Sequence, residues 1–416
     1  MNSELQCPDV DFALDAVPNL HQLIDAMRPV GPVVRVKYLG EPVWLINSYA
    51  ELRQAFADEE HFAAATAYKI HSEPSMGKTL QTMSGEQHRI NRALVSRPFF
   101  PRQVRSLVDS LIEPQAQLLL DKMESQGEVD MVAAFTRPFP FMIITRMLGI
   151  PVHDDEKFLH WAIKIIDFPW DPEGALQAKA EFDEYLVPLI QRRRSEPGDD
   201  VISLMATSEV EGESSTDRES STDKESSTDK ESSTDKELLS DEEILSFCRL
   251  LFPAGSDTTY KNLGSLLYAV LRDPAVRARI EEGDAVIEAI VQEGLRWQPP
   301  TALLPRMCSK DTRLGGADIK AGEWVLFGIT AANNDPAVFP DPRRFDPDRD
   351  NKNLAFGHGE HFCLGSHLAR RELEVALRVI FERFPAMQLM EERPVEIVQG
   401  VLRGPGELWV KLELGK

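Results

Sequence analysis

The sequence predicts a mainly α fold with small peripheral β-sheets, built as a single domain over residues 1–416. Two observations carry this. Apolar residues recur at helical spacing over 101–124, 174–194, 241–272, 284–297 and 364–383. Strand-like runs are short and few, EPVWLINS (41–48) and EWVLFGIT (323–330) being the clearest, rich in Val, Ile and aromatics. Helices and strands do not alternate regularly, which argues against a doubly wound parallel sheet.

One segment stands apart. Residues 213–236 repeat ESSTDR once and ESSTDK three times without an apolar residue. Such a stretch buries nothing to offset its ordering entropy, so it reads as a disordered low-complexity loop within the domain. The rest is ordinary globular composition, with 42% hydrophobic and 27% charged residues. The net charge of −22 repels nucleic acid and anionic membrane. No apolar run is long enough to span a bilayer, and no basic region followed by an apolar run marks a leader. A cytoplasmic location is the expectation. Cys7, Cys248, Cys308 and Cys363 are scattered without CxxC spacing, which argues against a disulfide framework or structural zinc.

LLFPAGSDTTYKNLGSLL (250–267) poses the first question of chemistry. Ser240 and Glu243 form a capping-box pattern, so a helix starts near Asp241, and Asp273-Pro274 ends it. Leu245 and Leu263 lie about five turns apart at about 3.6 residues per turn, and so share a face. That phase predicts one helix across the interruption. The interruption is costly: Pro253 disfavours a helix interior by about 3 kcal/mol, and Gly255 by about 1 kcal/mol relative to Ala. Kinks and openings of this kind accompany functional sites. The expectation is a kinked helix whose apolar wall carries a small-residue notch, Ala254 and Gly255, beside a polar pair, Asp257 and Thr258.

AFGHGEHFCLGSHLARREL (355–373) is the second signal. Cys363 immediately precedes a helical pattern, where free N–H groups and the helix dipole favour a thiolate. Gly357 and Gly359 permit positive φ, so the chain can curl around the sulfur. A shielded thiolate receiving N–H bonds suits a metal ligand. A nucleophile reading remains open at this point, because His358 and His361 are near enough in sequence to act as bases.

FGHGEHFCLG (356–365) resembles the haem-ligand signature F-x-x-G-x-x-x-C-x-G of the cytochrome P450 family. Other family elements occur in the right order. AGSDTT (254–259) is similar to the oxygen-groove motif, EGLR (293–296) to E-x-x-R, and HRINR (88–92) to H-x-x-x-R. PRRF (342–345) resembles P-E-R-F, with Arg343 in place of the acid. The resemblance runs from about residue 30 to the C-terminus, apart from the repeat.

The resemblance implies haem b (iron protoporphyrin IX), with Cys363 as the iron ligand and Phe356 packed near the sulfur. His88, Arg92, Arg306 and His361 match positions that hold the haem carboxylates. Glu293, Arg296 and Arg344 match a buried structural triad. Asp257 and Thr258 match the acid–alcohol pair that brings protons to dioxygen, with Ala254 and Gly255 leaving room for it. Leu250, Ala302, Leu303, Leu304, Val401 and Leu402 align with pocket linings. All are apolar, which implies a hydrophobic small-molecule substrate. Residues 63–83 are expected as a mobile loop over that pocket.

The implied activity is that of a monooxygenase, an oxidoreductase inserting one atom of O2. The sequence carries no flavin, NAD(P) or iron–sulfur module, so electrons are expected from a separate iron–sulfur ferredoxin and its NAD(P)H-dependent reductase. RINRALVSRPFFPRQVR (89–105) has five arginines and no acid, a patch suited to steering an acidic ferredoxin. Competing readings are a peroxide-dependent peroxygenase and a non-catalytic haem sensor. The acid–alcohol pair argues against both.

Overall fold

A computed structural model describes residues 10–151, 155–211 and 236–412. The expected low-complexity loop lies outside these, apart from Lys236. Helices that position the site are α1 (Leu20–Met27), α2 (Ala64–His71), α3 (Glu73–Met76), α4 (Gly85–Ser96) and α5 (Glu113–Met123). They continue with α6 (Pro138–Leu148), α7 (Asp155–Ile166), α8 (Pro172–Ser195), α9 (Asp241–Arg272), α10 (Asp284–Trp297) and α11 (Ser366–Arg383). The strands used below are β1 (Val33–Tyr38), β2 (Glu41–Ile46), β3 (Glu209–Glu211), β4 (Lys236–Leu238), β5 (Leu303–Met307) and β6 (Trp324–Gly328).

The fold is mainly helical with small sheets, as the periodicity implies. The largest sheet has the order β1-β2-β6-β5. β1 pairs antiparallel with β2, β2 parallel with β6, and β6 antiparallel with β5. β3 and β4 pair in antiparallel register, Glu209 opposite Leu238, so the described chain on either side of residues 212–235 meets in a short ladder.

α9 is the axis of the helical core. Ser240 caps it and Glu243 completes the capping box, as the sequence indicates. The helix then runs unbroken for 32 residues with Pro253 inside it, so the phase argument holds and the expected kink does not interrupt the helix. Around it gather Phe141 of α6, Phe158 of α7 and Phe182 of α8, against Phe252. Aromatic pairs of this kind add about 0.5–1.5 kcal/mol beyond the area they bury.

Two other expectations change. The helical reading of 101–124 resolves into Pro101–Leu107, a π-helical turn over Val108–Ile112, and α5. Pro114, at the start of α5, cannot continue the ladder back into that turn. The 63–83 segment, expected as a mobile loop, carries the helices α2 and α3.

Candidate active site

Cys363 lies between a tight loop and α11. Its N–H donates to the Phe356 carbonyl at 2.9 Å. Gly357 and Gly359 adopt φ of 74° and 81°, the left-handed region that glycine enters freely. At Gly359 a side chain is also excluded by space, since a Cβ would lie 2.6 Å from the Phe56 carbonyl oxygen. The loop folds as it does because these two positions carry no side chain.

Burial pushes the Cys363 thiol up, while the Gly365 N–H and the Arg92 and Arg370 guanidinium groups pull it back. Those three groups stabilise a thiolate. Among the described residues, no imidazole is hydrogen-bonded to Cys363. His361 instead stacks on His88, with ring centroids 4.3 Å apart. The nucleophile reading therefore has no base in place.

A cationic wall stands beside the sulfur. His88 is 1% exposed and Arg306 4%. The Nε2 atoms of His88 and His361 are buried without a hydrogen-bond partner. Arg306 holds its guanidinium 5.3 Å from the Tyr68 ring centre and 5.2 Å from that of Phe327. Arg92 donates to the Phe362 carbonyl at 2.6 Å. Burial, then the cations of His88, Arg306 and Arg92, drive the His361 pKa down to about 3. Buried donors left unpaired cost about 1–3 kcal/mol each, so this wall is built to receive anionic groups. The carboxylates of a haem supply that charge. His88, Glu360 and His361 also bring donor atoms within 4.8 Å of one another, but two of those donors belong to the wall itself.

The opposite element is α9. It is buried along most of its length, yet Ala254 is exposed and Thr258 half-buried, one turn apart. Leu250 continues that face one turn earlier. Thr258 Oγ1 donates to the Ala254 carbonyl at 2.9 Å. Asp257 is buried and ion-paired to Lys261. Gly255 belongs to a different side of the helix: a Cβ there would lie 2.8 Å from Ile144 Cγ1. Its missing side chain admits α6 to close packing, so the expected notch narrows to Ala254.

Residues 13–412 match the sequence profile of the family described as Cytochrome P450. The chain belongs to the cytochrome P450 family. The mycinamicin IV hydroxylase/epoxidase of Micromonospora griseorubida is 33% identical over 393 residues, covering 92% of this chain and 93% of that protein. The 6-deoxyerythronolide B hydroxylase of Saccharopolyspora erythraea is 31% identical over 383 residues, covering 87% and 88%. The solved cytochrome P450 PksS of the Bacillus subtilis 168 bacillaene polyketide synthase superposes with a TM-score of 0.83 at 29% identity, covering 95% and 97%. The protein is therefore a P450 monooxygenase, and the family implies haem.

In this P450 the structural triad differs from the sequence expectation. Arg296 Nε and Nη2 donate to the two Glu293 oxygens at 2.7 Å, both residues being fully buried. Arg344 does not join them: its side chain is exposed, and only its carbonyl accepts from Arg296. The third member is Arg349, whose Nε lies 3.4 Å from Glu293 Oε1. Asn351 adds a donor at 3.2 Å. FDPDRD (345–350) contained this arginine, but only the path of the loop turns it inward. Arg343, in place of the family acid, donates to His21 Nδ1 and Asp25, tying the loop to α1.

The lining residues separate. Leu304 and Leu402 remain half-buried. Ala302 and Leu303 are 0% and 3% exposed within the core between α1 and the large sheet, against which Val401 also packs. Ala302 and Leu303 offer no free surface to a substrate, whereas Val401 stays half-buried like Leu304 and Leu402. Lys261 was missed in the sequence, although its spacing from Asp257 is the i, i+4 of helical ion pairs. No described helix is long and apolar enough to cross a membrane.

Proposed function

We propose that this P450 inserts one oxygen atom of O2 into a hydrophobic small molecule, using haem b bound through Cys363 and electrons from a separate ferredoxin and reductase. The observation that carries the reading is the uncovered strip of Ala254 and Thr258 on an otherwise buried helix, beside the buried Asp257. Thiolate-ligated haem supplies dioxygen activation, because the thiolate pushes electron density that favours O–O cleavage.

The chain's own residues do the rest. Gly365, Arg92 and Arg370 favour the Cys363 thiolate. His88, His361, Arg306 and Arg92 hold the haem carboxylates, which fits the two orphaned imidazole nitrogens. Thr258 presents its hydroxyl as a local proton donor, and Asp257 resupplies it with protons through the ion pair with Lys261. Leu250 and the half-buried Leu304 and Leu402 keep water from that space. The similarity to a 6-deoxyerythronolide B hydroxylase and a mycinamicin IV hydroxylase/epoxidase supports oxygen insertion into a small organic molecule.

The electron partner docks at α4 and the turn after it. Phe100 is 52% exposed, with exposed Arg97, Arg102 and Arg105 around it. A cleft lined by Arg89, Arg92, Phe100 and Glu360 opens on the same side as the Cys363 loop. A basic rim around an aromatic suits an acidic ferredoxin. The protein is proposed to act in the cytoplasm.

Two measurements test this reading. The ferrous–CO difference spectrum gives the thiolate band, and its absence contradicts the haem-thiolate assignment. Oxygenated product forms with ferredoxin, reductase and NAD(P)H; product with hydrogen peroxide alone favours the peroxygenase, and no product with either favours the sensor.

A further inference from the structure

Glu360 is a variable position of the haem-ligand signature, yet it makes two contacts with α4. Its Oε1 accepts from the Gly85 N–H at 3.1 Å and lies 3.0 Å from His88 Nδ1. Ser84, the residue placed to cap α4, makes no side-chain cap bond. Glu360 thus caps the helix from another part of the chain. It also fixes the ring of His88, which is 1% exposed and has its other nitrogen buried and unpartnered.

A carboxylate only accepts, so the bond to Glu360 places a hydrogen on Nδ1 of His88. A neutral imidazole has one donor and one acceptor. With Nδ1–H committed to Glu360, a neutral ring would turn a lone pair at Nε2 toward a haem carboxylate. Only the imidazolium donates in both directions. We propose that Glu360 is a positioning residue that holds His88 as the cationic donor to a haem carboxylate and thereby couples haem retention to pH. The proposal rests on the reading of His88 as a holder of that carboxylate.

The charges facing His88 decide the sign. Burial above all, and Arg92 one turn along α4, lower the His88 pKa even with Glu360 opposing them; His361, stacked on the ring, is itself neutral, and Glu59 lies 3.9 Å from its Nε2. Glu360 favours the imidazolium, and the incoming carboxylate adds to it. In the holoenzyme the haem carboxylate joins Glu360 against burial and Arg92; without the Glu360 charge it opposes them alone, and His88 gives up its proton at a lower pH.

The test is haem transfer from the holoenzyme to apomyoglobin between pH 6 and 9. The wild type holds haem until His88 deprotonates, and its transfer rate then rises. Glu360→Gln keeps both hydrogen-bond geometries without the charge. Its inflection moves acidward by about one unit, and transfer at neutral pH is about tenfold faster. Glu360→Asp restores part of the shift. In a His88→Gln background, Glu360→Gln moves no inflection. A Glu360→Gln profile equal to wild type overturns the proposal. So does faster transfer by one factor at every pH, the signature of a lost helix cap alone. The CO difference spectrum, taken on the same samples, reports the Cys363 ligand independently. Loss of its thiolate band in the wild type would overturn the haem reading and this proposal together.

Discussion

Nζ of Lys261 lies 2.6 Å from both carboxylate oxygens of Asp257, the residue one turn before it on α9. The pair is buried, and Gly404 closes over it, since a Cβ there would lie 2.6 Å from Lys261 Cβ. Burial opposes the Lys261 charge, but Asp257 outweighs it with help from Tyr260, and the ammonium pKa is raised. Breaking a buried ion pair from one side strands the other charge, at about 3–5 kcal/mol. Lys261→Met should therefore lower stability by about that much in urea unfolding of the holoenzyme. Asp257→Asn added to it should recover most of the loss. A Lys261→Met protein as stable as wild type would show that the pair is not formed.

Thr258 predicts a different signature. Its side chain contributes a hydroxyl to the uncovered strip rather than to the core, so Thr258→Ala should keep haem and stability. Product per NAD(P)H should fall by about tenfold, less than the roughly hundredfold or more that a positioned proton donor contributes to a rate, while hydrogen peroxide rises. Thr258→Ser, which retains the hydroxyl, should recover much of the coupling. Equal product yield in Thr258→Ala, measured against NAD(P)H consumed, contradicts a role in proton supply.

What the sequence made legible was local. Ser240 and Glu243 report a helix start because both partners lie within one turn. Leu245 and Leu263 report continuity because helical phase survives any residue between them. The Cys363 loop is written in two glycines whose φ values demand them. What stayed hidden depends on distant chain. Gly255 shows in sequence that a side chain is missing, but not that Ile144 occupies the space. Arg344 and Arg349 lie in one short loop of similar composition, and only its tertiary path turns one inward and the other outward. Ala302 and Leu303 are as apolar as a pocket lining, but at the start of β5 they pack into the core between α1 and the large sheet.

That inversion within the loop gives a comparative prediction. Arg344→Ala removes an exposed side chain and should change stability by less than about 0.5 kcal/mol. Arg349→Ala removes a cation from the fully buried Glu293 and its donation to the Pro340 carbonyl at 2.5 Å. Hydrogen bonds to charged groups are worth about 1.5–3 kcal/mol, so a loss near 2 kcal/mol is expected. Denaturant unfolding of the two variants side by side decides it, and the reverse order would return Arg344 to the triad.

His21 carries the pH prediction, and Arg343 the reason for it. His21 Nε2 lies 2.9 Å from Gln298 Oε1, and Nδ1 accepts from Arg343 Nη1 at 2.7 Å. The ring is thus neutral, with its hydrogen on Nε2. Burial, then the Arg343 charge, lowers its pKa from 6.5 to about 4. Below 6.5 the unfolded chain takes a proton that the folded one refuses, so this residue's stability contribution is lost as pH falls from 6.5 toward 4. At about 1.4 kcal/mol per pH unit the loss approaches 2–3 kcal/mol. In His21→Gln, the decline in unfolding free energy between pH 7 and pH 4.5 should shrink by about 2 kcal/mol. Arg343→Glu, which restores the acid of the family element, should do more. A carboxylate beside Nδ1 favours the imidazolium, so the His21 pKa should rise and its share of the acid sensitivity should diminish or reverse. An unchanged pH slope in both variants would mean that His21 does not face Arg343 in the folded protein.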